Sequence, residues 1–250
     1  MKLSTLILRG TVLATALAAS AAAHAVINTS DTTILGSDFS NGSSTYTEAI
    51  TPLSNSVTFV PNVRTFEKKT QAGYTGVGVS GGRTGGEIDG TEKITGTFAH
   101  AVALTGFRLS VLFDGPDYGD WNEIAQVTAH LSGGDTLVGT LRATGVSTAT
   151  WLVGGVSFPG SFVSSLGSGA INGGSGAWDV RNPFGNASIS SLDFEAINST
   201  VCGSGACNNQ SDFALVSMDV AAPVPEPQTY ALLSAGLMAV AFMARRRRAD

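Results

Sequence analysis

Phe107-Arg108-Leu109-Ser110-Val111-Leu112-Phe113 alternates apolar and polar residues with a period of two, so its odd positions face a core and its even positions face away. The same pattern recurs at Ala125 to Leu131, where Val127, Ala129 and Leu131 oppose Gln126, Thr128 and His130. It returns at Leu137 to Arg142 and at Leu192-Asp193-Phe194-Glu195-Ala196. Further strands are expected at Ser56 to Val60, Tyr74 to Val79, Lys93 to Phe98, Thr148 to Val153, Ala177 to Val180 and Phe213 to Val220, with glycine-rich turns between them. His100 falls at an expected hairpin turn, and Ser30 to Thr51 reads as an irregular lead-in with one edge strand. Apolar patterns of helical period are almost absent. Many short strands parted by such turns predict an all-β fold, a jelly-roll-like β-sandwich.

The two ends of the 250-residue chain read differently. Lys2 and Arg9 precede an uncharged, small and apolar run, and Ala23-His24-Ala25 presents small residues at −3 and −1. That is the pattern of a secretory signal peptide, residues 1–25, cut by signal peptidase between Ala25 and Val26. No cysteine lies near that site.

At the other end stand Val224-Pro225-Glu226-Pro227, an uncharged apolar segment over 229–244, and Arg245-Arg246-Arg247-Arg248. A helix over Tyr230 to Ala244 reaches only about 22 Å, short of the roughly 30 Å hydrocarbon core, so it spans with snorkelling flanks or a thinned bilayer. The arginines hold that end in the cytoplasm and place the folded part across the inner membrane. Pro225 and Pro227 keep their stretch extended and outside any sheet ladder, a form that a protease binds.

These three parts, in this order, resemble the PEP-CTERM sorting signal of Gram-negative bacteria. The resemblance covers about the last 27 residues. It implies export, a transient membrane anchor, then a cell-surface or extracellular location. It also implies processing by an exosortase, a membrane cysteine protease-transpeptidase, and a host with an exopolysaccharide locus, hence a place in biofilm. The stretch from Gly78 to Glu123 loosely resembles the body of other such proteins, with Gly86-Glu87-Ile88-Asp89 followed by an Asp-Gly-Pro turn; that likeness assigns no activity.

Between the ends, residues 26–222 form one β-domain, with 223–250 as the sorting tail. Without Lys2, Arg9 and the four terminal arginines, 8 of 14 Lys+Arg remain, and without Glu226 and Asp250, 17 of 19 Asp+Glu remain, leaving about −9. So acidic a domain opposes binding to nucleic acid and anionic membranes. Cys202 and Cys207 flank Gly-Ser-Gly-Ala. In an oxidising compartment they make a short-loop disulfide, a structural staple in preference to a redox pair.

Asp114, Asp117, Asp120 and Glu123 cluster in one loop beside Tyr118 and Trp121. Such hard oxygen ligands suit Ca²⁺, although the spacing is not that of an EF-hand; the plainer reading is a solvated acidic turn. Gly78-Val79-Ser80-Gly81-Gly82 formally matches the G-x-S-x-G elbow but lacks a following helix, and His100 and His130 read as surface residues. No cofactor is required. The expectation is a non-enzymatic surface or matrix protein associated with extracellular polysaccharide. A Ca²⁺-dependent carbohydrate-binding module and a secreted glycoside hydrolase stand as alternatives.

Overall fold

The computed structural model describes residues 32–114, 122–167, 176–197, 211–223 and 235–238. The chain divides into two units, Asn28–Pro225 and a second made of Met1–Ile27 with Glu226–Asp250. In the second unit, residues 235–238 are helical with exposed side chains. Among the described residues no helix is long and apolar enough to cross a membrane. The rest of the apolar segment over 229–244 and the whole signal peptide lie outside the described residues.

The first unit is all-β and antiparallel throughout. Its described strands are β1 (Thr32–Leu35), β2 (Tyr46–Ile50), β3 (Asn55–Pro61), β4 (Phe66–Gln71), β5 (Tyr74–Val79), β6 (Ile88–Asp89), β7 (Lys93–Ser110) and β8 (Ile124–Leu131). They continue with β9 (Thr136–Gly145), β10 (Thr148–Val153), β11 (Val156–Ser157), β12 (Phe162–Ser165), β13 (Trp178–Arg181), β14 (Ile189–Ile197) and β15 (Asp212–Ala221). The alternating segments thus form strands as expected. The lead-in carries two of them, β1 and β2, because Ile34 and Ile50 each have core to cover.

The expected turn at His100 does not exist. β7 runs unbroken for 18 residues and serves two sheets. Its first half lies between β3, with Val57 opposite Phe98, and β14, with Phe194 opposite Ile94. That sheet continues through β8, β9, β10 and β11. Its second half lies between β13, with Val180 opposite Phe107, and β15, with Met218 opposite Phe107. At the corner the Asn55 side chain replaces the ladder: its Nδ2 donates to the His100 carbonyl at 2.6 Å and its Oδ1 accepts from the His100 N–H at 2.9 Å. Burying both halves of β7 leaves the chain no reason to turn back, and the path from β11 to β4 stays open, without closing into a barrel.

The inner faces of the two halves share one core. Phe107 meets Trp151 edge-on at 5.3 Å and Phe194 at 6.3 Å, and Trp151 meets Phe184 at 5.5 Å. Aromatic rings in this edge-to-face geometry add to the energy of burial alone. The Trp151 indole lies over Gly139, where a Cβ would overlap the ring, and its Nε1 donates to the Pro183 carbonyl at 2.9 Å. The Trp178 Nε1 donates to the Leu112 carbonyl at 2.8 Å.

The alternation of 107–113 holds for Phe107 and Leu109 and then breaks. Val111 takes φ +70°, unusual for a β-branched residue, and reverses the parity. Leu112 therefore enters the main core, while Val111 and Phe113 join a small second cluster with Ala214.

Candidate functional site

The sorting tail begins where the last strand ends. β15 is paired along both of its edges. It pairs with β7 from Ala214 to Ala221 on one side, and on the other with β1 from Ser217 to Val220. Its apolar residues Phe213, Leu215, Met218 and Val220 all lie in the core. Near its end, the Asp219 carboxylate accepts from Thr33 Oγ1 at 2.6 Å and pairs with Arg181 Nη1 at 2.7 Å. Only Ala222 and Pro223 separate this strand from Val224. Val224, Pro225, Glu226 and Pro227, the basic stop at Arg245 to Arg248, and the signal-peptidase site at Ala23, Ala25 and Val26 lie outside the described residues.

On the outer face near β15 the charges pair with one another. Arg181 crosses β7 above Gly106, where a Cβ would crowd its Cδ, to reach Asp219. Its Nε also meets Asp179 at 2.8 Å, and Arg108 Nε reaches the other Asp179 oxygen at 3.2 Å. This ladder joins β13, β7, β15 and β1. Period-two reading puts Arg108 on a polar face, but its partners come from strands distant in sequence.

On the outer face of the other half, Asp193 gathers Thr95 Oγ1 at 2.6 Å, His130 Nε2 at 3.1 Å and Lys93 Nζ at 3.2 Å. Burial pushes this carboxyl up, but the hydrogen bonds from Thr95, His130 and Lys93 outweigh it and hold it below its usual range. A carboxylate so shifted adds stability above its unfolded pKa of about 4, lost as pH falls through the lower folded value. Asp193→Asn is therefore expected to flatten the acid limb of the stability curve. The check is the melting temperature of wild type and variant from neutrality to below pH 4. Equal acid slopes for the two would contradict the assignment.

The glycine-rich loop after β5 wraps a third acidic group. Arg83 and Thr84 donate their backbone N–H groups to Asp89 Oδ2 at 2.9 and 3.1 Å. Glu92 accepts from Arg64 at 2.7 Å and from the Asp89 N–H at 3.2 Å, and Lys69 pairs with Glu87. Burial pushes Glu87 and Glu92 up, against the lowering effect of Lys69 on the first and of the Asp89 N–H and Arg64 on the second. Ser80, the serine of the formal elbow, bonds to Thr65 Oγ1 at 2.8 Å and leads into this loop. A nucleophile elbow needs a strand-to-helix turn there.

Of the four residues proposed for Ca²⁺, the structure describes two. Asp114 accepts from Asn122 Nδ2 at 2.7 Å, and Glu123 is buried with its carboxylate on the Phe113 N–H. Asp117 and Asp120 lie outside the described residues, as do Tyr118, Trp121, Cys202 and Cys207. Among the described residues no group of three or more His, Cys, Asp or Glu is arranged to hold a metal ion.

Residues 223–248 match the family described as the PEP-CTERM protein-sorting motif. No curated protein and no solved structure matches the chain. The chain thus carries a PEP-CTERM sorting signal, fused two residues beyond the last strand of an all-β domain. Such a signal implies export, sorting by an exosortase at the membrane and an extracellular destination.

Proposed function

We propose that this protein is a non-enzymatic building element of the cell surface or extracellular matrix, associated with exopolysaccharide and hence with biofilm. In this reading signal peptidase frees Val26 and the tail anchors the chain transiently. The exosortase then cuts or transfers it near Glu226. The observation that carries the reading is the sorting motif at 223–248, joined directly to a β-domain that ends in a buried strand.

The polar groups support a structural role. The described acidic clusters are tied to arginines, lysines and backbone N–H groups, and Ser80 is bonded to Thr65. Trp151 and Trp178 are core residues, with their indole N–H groups satisfied inside. They offer no stacking surface to a sugar.

The test uses the released mature chain and the extracellular polysaccharide of its own host. Co-sedimentation without depolymerisation is expected. Failure to co-sediment would remove the matrix association, and release of reducing ends would make the protein a hydrolase.

A further inference from the structure

We infer that the charge-free surface around Val156 and Phe162 is where two copies of this chain associate, each packing these side chains against its partner. The inference goes beyond the proposed function and does not depend on the polysaccharide.

From Ala143 to Trp178 the sequence has no Asp, Glu, Lys, Arg or His, the longest such run between residues 26 and 222. Its described part supplies β10, β11 and β12. β11 pairs with β10, and β12 lies beside β10. The stretch from Gly154 to Ser164 is largely exposed, with Val156 at 67% and Phe162 at 59%. Every other described Phe, Tyr and Trp is at least partly buried. Aromatic residues with few charges around them are typical of the centre of a protein interface.

This stretch is fixed to the domain. Phe158 and Val163 pack against the core. The Phe158 carbonyl accepts from the Ser161 N–H at 3.2 Å and from Ser161 Oγ at 2.8 Å, and the Gly160 carbonyl accepts from Asn182 Nδ2 at 3.2 Å. Side chains presented on a fixed backbone lose little freedom when a partner covers them.

Charge selects a second copy as that partner. The domain is acidic, so two copies repel one another across most of their surface. About a two-fold axis the same patch meets itself, and any charge near the axis meets its like. An uncharged patch avoids that repulsion. β4, by contrast, carries Glu67, Lys68 and Lys69, the kind of charge that guards a sheet edge against association. Few large side chains take part, so the dimer is weak and dissociates on dilution.

The experiment is sedimentation equilibrium of the released mature chain over a concentration series at low and high salt. A monomer–dimer equilibrium is expected, tightened by salt as repulsion between the acidic domains is screened. Phe162→Glu should weaken it at least tenfold. Val60→Glu, at another exposed apolar position on β3, should leave it unchanged. Melting temperatures confirm that both variants fold. A wild type that stays monomeric at every concentration and salt would overturn the inference. So would undiminished association of Phe162→Glu, or equal weakening by Val60→Glu. A monomeric wild type whose co-sedimentation with polysaccharide is lost in Phe162→Glu would likewise overturn it and give this surface to sugar.

Discussion

Phe107→Ala is expected to cost about 3–5 kcal/mol, the range for a fully buried phenylalanine. That is a large part of the roughly 5–15 kcal/mol that holds a typical domain together. Phe107 stands on β7 just past the corner, where the strand passes from one sheet to the other. Its ring meets Trp151 on β10 and Phe194 on β14, so it joins the two inner faces. The cavity left by alanine cannot close readily. Trp151 is held by its bond to the Pro183 carbonyl and lies against the bare backbone of Gly139. Urea unfolding of the mature chain should show a lower midpoint with an unchanged slope. Phe162→Ala is the control: that ring is 59% exposed on β12, and its loss should stay within about 0.5 kcal/mol. A Phe107→Ala cost below that of the control would show that the two faces are not packed through this ring.

Replacing Pro225-Glu226-Pro227 by alanines should abolish processing and leave the full-length chain in the membrane fraction. The effect is expected to be close to all-or-none, because the change removes two backbone restraints and a charge at once. Glu226 is the only charged residue between Asp219 and Arg245, and it lies between two prolines. Alanines at these positions favour helix and would extend the apolar segment towards the domain. The β-domain should be unaffected, since β15 ends at Ala221 and its strand partners among the described residues lie before the motif. Immunoblots of membrane and medium fractions give the answer. A product of unchanged size released at an unchanged rate would show that the motif is not what the processing enzyme reads.

The strands were legible because their signal is local. Tyr74 to Val79 and Thr148 to Val153 coincide with β5 and β10, since each is rich in β-branched and aromatic residues and is closed by glycine or polar turns. β7 misled at His100, where the alternation lapses at the corner and a local reading sees a turn. The side-chain amide of Asn55, 45 residues away in the chain, keeps the backbone there satisfied. Val111 misled in another way. A period-two reading assumes extended backbone, and one positive φ exchanged the faces of Val111, Leu112 and Phe113. Glu123, grouped with the acidic loop by proximity in sequence, instead turns inward to the Phe113 N–H.

The sequence by itself determined the all-β class, the polar and apolar faces of most strands and the sorting address in the tail. These depend on side-chain period and on residue types a few positions apart. Tertiary structure alone decided that β7 serves two sheets, that Asp193 gathers Thr95, His130 and Lys93, and that β15 is clamped on both sides just before the tail. The physical reason is that an antiparallel ladder joins residues as far as 188 positions apart, as Thr32 and Val220 show, and no local pattern encodes which strand will arrive as neighbour.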